Sequence, residues 1–169
     1  MVVRRTDVAT GLESRPGAAV AAFGCMDALE LMRRDHEKLK QLLDRAEHAE
    51  GESSRDNLFV TIRTEFVPHE RMEEEIFYPA LRSHRNAQDI VLEGYQEHHL
   101  ADLLMDELID TPAATDVWKA KMKVLKESIE HHIEEEEGEM FRKARSIFEG
   151  AELEQLGRRM EALKKESEA

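Results

Sequence analysis

Two segments of the chain, HERMEEEIFYPAL from His69 and HIEEEEGEMFRKA from His132, share one layout 63 residues apart. In each, a histidine is followed by a glutamate four residues on (Glu73, Glu136) and an aromatic nine on (Tyr78, Phe141). Residues four apart lie on one face of an α-helix, so each His–Glu pair projects toward a common point. Both pairs continue stripes that are otherwise apolar at helical spacing. One runs Phe59, Ile62, Phe66, His69, Glu73, Phe77 and Ala80; the other runs Trp118, Met122, Leu125, Ile129, His132, Glu136 and Met140. Two further stripes carry a single histidine: Leu29, Met32, His36, Leu39, Leu43, Ala46, and Val91, Tyr95, His98, Met105, Ile109. His36 and His98 stand 62 apart, with DHEKLKQLL answered by EHHLADLLM. The chain thus reads as two helical hairpins of one design.

The periodicity predicts helices from Asp27 to about Ala46, from about Arg55 to Arg82, over about 87–109, and from the DTPAATD turn (110–116) to about Phe148. Gly51 breaks the first pair, with Ser53 or Ser54 as the next N-cap. Pro68 is expected to kink or break the second helix and Pro79 to bend its last turn. Gly150 reads as a C-terminal stop, and AELEQLGRRMEALKKESEA as a short, charged fifth helix. The fold class expected is all-α: an antiparallel up-down-up-down four-helix bundle over residues 26–148 with a C-terminal helix over 149–169. Residues 1–25 lack a helical period and read as a flexible leader. Their apolar patch, Ala18 to Phe23, is shorter than the roughly 7–15 residues of a secretory core, so an upstream start codon explains them better.

At 169 residues with four prolines and 5% aromatics, the chain suits one helical domain. Its net charge of −13 disfavours nucleic acid, whose binding needs Lys and Arg, and favours cations. The single cysteine, Cys25, makes no internal disulfide. No apolar stretch approaches a membrane span, and a cytoplasmic protein, monomeric or weakly dimeric, is expected.

The inward positions that should hold Leu, Ile or Phe instead hold His36, His69, Glu73, His98, His132 and Glu136. Buried imidazoles and carboxylates are costly unless paired or ligated, and six of them, drawn from all four helices, are satisfied together by metal. Two hairpins of this kind place two ions about a pseudo-twofold axis, with the carboxylates free to bridge. On the third helix, His98 aligns Leu104 and Met105 with Leu42 and Leu43, whereas His99 would set Asp106 against Leu43; His98 is preferred and His99 kept as the alternative. The Glu run 134–137 reads as a solvated face apart from Glu136, with Glu135 the next candidate. His48, His84 and His131 read as surface residues. Phe66, Tyr78, Trp118 and Phe141 read as packing residues, Tyr78 being the one within reach of a group in the pocket. No Glu stands three residues before any of the eight histidines, which excludes the ferritin-type Glu-x-x-His pattern. HERME is not a zincin HExxH, and there is no phosphate loop or GxSxG elbow.

The pattern H…HxxxE…H…HxxxE over about 27–148 resembles the hemerythrin-like, or HHE cation-binding, family. That resemblance implies a non-haem di-iron centre with an oxo or hydroxo bridge. His36, His69, His98 and His132 would be terminal ligands, with Glu73 and Glu136 bridging; zinc or manganese remains compatible with the donor types. Oxygen-carrying members have a second histidine four residues after the third-helix histidine, where this chain has Asp102. Glu70 is a further oxygen donor used in some members. The resemblance implies binding or sensing of oxygen, nitric oxide or peroxide, or iron handling. Two alternatives stand beside it: a catalase- or peroxidase-like enzyme on the same centre, and a zinc-bound or metal-free helical adaptor.

Overall fold

The computed structural model describes residues 26–168, so the leader read for residues 1–25 lies outside the described residues. The Asp27 carboxylate accepts the Glu30 N–H at 2.9 Å and opens α1 (Ala28–Glu47). Gly51 then turns the chain with φ +82°, a value that favours glycine. This turn starts α2 at Glu52, ahead of the expected Arg55, with Gly51 in the cap position; neither Ser53 nor Ser54 caps it. The helix does not break at Pro68, which lies inside its first stretch, Glu52–Met72. It continues as a π-helical turn, Glu73–Phe77, and a last α-helical turn, Tyr78–Arg82. α3 (Gln88–Ile109) follows. Thr115 accepts the Trp118 N–H at 3.2 Å to open α4, which runs through Asp116–Glu135, a π-helical turn Glu136–Met140 and Phe141–Ile147. Phe148 is extended (φ −102°, ψ 139°) and ends α4, so Gly150 is not a stop: it is the first residue of α5 (Gly150–Glu168).

α1 packs against α2 and α4, α4 against α3, and the end of α2 against α3. The connections 48–51 and 110–115 are too short to do anything but reverse the chain between long neighbours. Far from hanging free, α5 lies across α1 and α2 and buries Leu153, Leu156 and Met160. Its Gly157 meets the start of α1 so closely that a Cβ there would sit 2.9 Å from the Ala28 nitrogen.

The two π-helical turns are equivalent in the repeat, and each shifts the inward stripe by one residue. The Tyr78 N–H donates to the Glu73 carbonyl and the Phe141 N–H to the Glu136 carbonyl, both five residues back. Tyr78 and Leu81 therefore point inward, and Ala80, expected there, is only half-buried. Ile109, also expected inside, is 52% exposed; Leu108 takes its place.

The apolar core is divided. One cluster holds Leu29, Met32, Met72, Phe77, Leu81, Val91, Phe141 and Met160; the other holds Leu39, Leu43, Ile62, Phe66, Met105, Trp118, Leu125 and Ile129. Between them runs a buried polar layer that includes all six predicted positions. Among the described residues no strand forms and no helix is long and apolar enough to cross a membrane.

Candidate metal centre

His36 on α1, His69 and Glu73 on α2, His98 on α3, and His132 and Glu136 on α4 are buried in one layer. Each imidazole turns its Nε2 inward. His69 Nε2 lies 2.8 Å from Glu73 Oε1, His36 Nε2 3.2 Å from Glu136 Oε2, and His98 Nε2 3.3 Å from Glu73 Oε2. His132 Nε2 stands 3.7 Å from Glu136 Oε2 and 3.1 Å from His98 Nε2. The donors form two groups, each compact enough to hold an ion: His36, His69, Glu73 and Glu136, and Glu73, His98 and His132. Glu73 belongs to both, one oxygen facing each way.

Whether a cation fits can be judged from the atoms left over. His36 Nε2, His69 Nε2, both Glu73 oxygens and Glu136 Oε2 are buried without a properly oriented hydrogen-bond partner. Orphaned groups of this kind are rare and costly in a folded interior. Inward imidazole nitrogens facing carboxylate oxygens are the donor set that a divalent metal uses, so the residues fit one.

The facing imidazoles and carboxylates stabilise one another's charged forms. Burial works against a charged His36, but Glu136, Glu137 and Glu73 raise it well above its ordinary value. His69 is raised in the same way by Glu73 and Asp35 against its burial, and His98 reaches about 10 through Glu73 and Glu74. Burial would raise Glu73, yet His69, His36 and His98 hold it well below the usual carboxylate range.

Four carboxylates that the sequence reading passed over face the outer nitrogens. Glu137 lies 2.9 Å from His36 Nδ1, Glu74 3.0 Å from His98 Nδ1 and Glu97 2.7 Å from His132 Nδ1. Asp35 lies 3.6 Å from His69 Nδ1. The three at hydrogen-bond distance fix which nitrogen points inward and make the imidazole a stronger donor. A signal was available, because each is adjacent in sequence to a candidate ligand at duplicated positions: Asp35 and Glu97 precede His36 and His98, and Glu74 and Glu137 follow Glu73 and Glu136. Glu137, read as part of a solvated face, is 30% exposed and bonded to His36.

Tyr78 is fully buried. Its hydroxyl donates to Glu136 Oε1 at 2.8 Å and lies 3.4 Å from His98 Nε2, and its ring stacks on His98. Burial and Glu136 raise its pKa well above normal, so it stays a donor. Gly94 makes room for it: a Cβ there would be 2.7 Å from the Tyr78 hydroxyl. The remaining candidates lie off centre. His99, His48, His84 and His131 are exposed, as is Asp102. Glu70 is buried behind His98, 3.7 Å from Nδ1, and burial pushes it up to about 8.

A four-helix layer of this composition defines a metal-binding helical protein. The family described as Hemerythrin HHE cation binding domain matches residues 27–144, and the chain belongs to it. A solved hemerythrin HHE domain-containing protein from Mycobacterium kansasii, described as an Rv2633c homolog, superposes with a TM-score of 0.75. It is 26% identical, and the match covers 83% of this chain and 86% of that one. The uncharacterized protein Rv2633c of Mycobacterium tuberculosis is 29% identical over 139 residues, covering 81% of this chain and 84% of its own. A DNA nickase of Nostoc sp. is 23% identical over 82% of this chain, but the chain spans only 39% of that protein.

Proposed function

We propose that this chain is a non-haem di-iron protein that binds or senses a small ligand such as oxygen, nitric oxide or peroxide. His36 and His69 would hold one ion and His98 and His132 the other, with Glu73 shared and Glu136 beside both. The observation that carries this is the set of five buried, unpartnered inward atoms on His36, His69, Glu73 and Glu136, from three helices. A mixed imidazole and carboxylate set suits iron, and also manganese or zinc. Bound iron would supply redox-active Lewis-acid positions for the ligand.

The protein's own residues supply the surroundings. Apolar clusters on both sides exclude water from the layer. Glu137, Glu74 and Glu97 hold three of the imidazoles in register, and Tyr78 places one O–H at Glu136 and His98. This hydroxyl is also the feature that bears on the second reading, catalase- or peroxidase-like turnover, since it holds a proton beside the candidate centre. Asp102, which stands where oxygen-carrying members have a second histidine, is exposed. The nicking activity named for the Nostoc protein is not carried over, because a chain of net charge −13 is poorly suited to a phosphate backbone.

Metal content per chain, measured on protein purified without added metal, tests the reading together with the visible spectrum before and after peroxide. About two irons with a near-ultraviolet charge-transfer band are expected. A stable spectral adduct supports binding, and rapid oxygen evolution supports turnover. Zinc or no metal, with a flat spectrum even after iron reconstitution, would overturn both.

A further inference from the structure

The four outer carboxylates are not equivalent. Three lie within 2.7–3.0 Å of their histidine Nδ1. Asp35 stands 3.6 Å from His69, whose Nδ1 is left without a hydrogen-bond partner. The oxygen that should reach His69, Asp35 Oδ2, instead accepts a hydrogen bond from Lys164 Nζ of α5 at 2.6 Å. Its repeat equivalent, Glu97, bonds His132 and pairs with no Lys or Arg among the described residues.

Lys164 is only 9% exposed, an unusual place for a lysine, which is almost never buried unless paired. Anchoring the helix does not require it there, since Leu153, Leu156, Met160 and the close approach at Gly157 already dock α5. A buried ion pair is also weak evidence of stabilisation, because desolvation offsets the attraction. What the pair does change is the second contact of Asp35.

We propose that Lys164 is a positioning residue: by drawing Asp35 off His69, it lowers the cation affinity of the His36–His69 group and sets the two halves of the candidate centre apart. The inference rests on the metal-binding reading above. Two effects act in the same direction. A carboxylate tied to an ammonium strengthens the imidazole less, and the ammonium itself repels an incoming divalent ion. The fifth helix therefore makes unequal sites out of a duplicated ligand set.

Removing Lys164 should then tighten binding, the opposite of what structural damage does. The experiment is an anaerobic titration of the metal-free full chain with Co²⁺, followed by visible absorbance and calorimetry. In Lys164→Met, one of the two uptake steps should strengthen on the order of tenfold, the lower end of what outer-shell changes produce, with the other step unmoved. Lys164→Gln keeps an N–H for Asp35 without the charge and should shift the same step in the same direction, which covers the case of a Met variant that fails to fold. Lys164→Arg should restore the parent pattern. Glu97→Gln should weaken the other step, which assigns the two. Two steps unchanged, or both weakened, in a variant with the parent's circular dichroism would overturn the proposal. A parent chain that takes up no Co²⁺ would overturn the metal-site reading itself.

Discussion

The helix that carries His69 leaves its π-helical turn on Tyr78, and the helix that carries His132 leaves its own on Phe141, 63 residues later. The backbone is the same in both places, yet the neighbours differ. Tyr78 reaches across to Glu136 and stacks on His98, with Gly94 giving it space. Phe141 stacks on His36 and offers no donor, so neither Glu73 oxygen has the partner that Tyr78 gives Glu136 Oε1. Around the outer shell, Asp35 is held by Lys164 whereas Glu97 is free for His132. The comparison teaches that duplication accounts for the inner donors and for where their supporting carboxylates stand. Single substitutions and one added helix then account for how the halves differ.

That comparison breaks most completely at Glu73, which serves both donor groups. Glu73→Ala should lose both ions, whereas Glu136→Ala should leave the His98–His132 group able to retain one; elemental analysis of the two variants distinguishes them. Equal retention by both would mean that Glu73 is not shared.

A smaller effect is expected where the halves differ in packing. Gly94→Ala drives a Cβ into the Tyr78 ring and should cost about 1–3 kcal/mol, as overpacking does. Tyr78→Phe makes the halves alike and leaves Glu136 Oε1 without its donor, at about 1–3 kcal/mol for a buried acceptor. Denaturant melts of the metal-free variants measure both, and parent-like midpoints would mean the hydroxyl contact is not formed.

The mildest test is pH. His98 is raised from 6.5 to about 10 in the metal-free fold, so its contribution to stability is complete below pH 6.5 and is lost as pH rises toward 10. Protons and metal compete for these imidazoles, so metal affinity should rise over the same window with proton release on uptake. Thermal melts of metal-free protein should fall from pH 6.5 to 10; a flat or rising trend would contradict the charged layer described above.

Much of this was legible from periodicity. The stripes located the six buried positions, and alignment of His98 with His36 picked the inward member of the 98/99 doublet, because a buried helix face repeats at fixed spacing. The π-helical turns were not legible, since nothing in EEEIF or EEGEM marks an extra residue in the turn. Their consequence, Leu81 facing inward where Ala80 is expected, was missed with them, although Tyr78 itself reads as a packing residue within reach of the pocket. The cap at Gly51, the start at Gly150 and the uninterrupted helix through Pro68 likewise depended on local geometry that composition leaves open.

By itself, the sequence determined an all-helical chain with four histidines and two glutamates facing one interior layer, because helical spacing and burial cost are properties of the chain alone. Only the tertiary structure decided which carboxylate supports which histidine, where Tyr78 donates its hydrogen bond, and that Lys164 stands at Asp35, 129 residues away. Those pairings are contacts between helices, and their distances follow from packing that no single helix specifies.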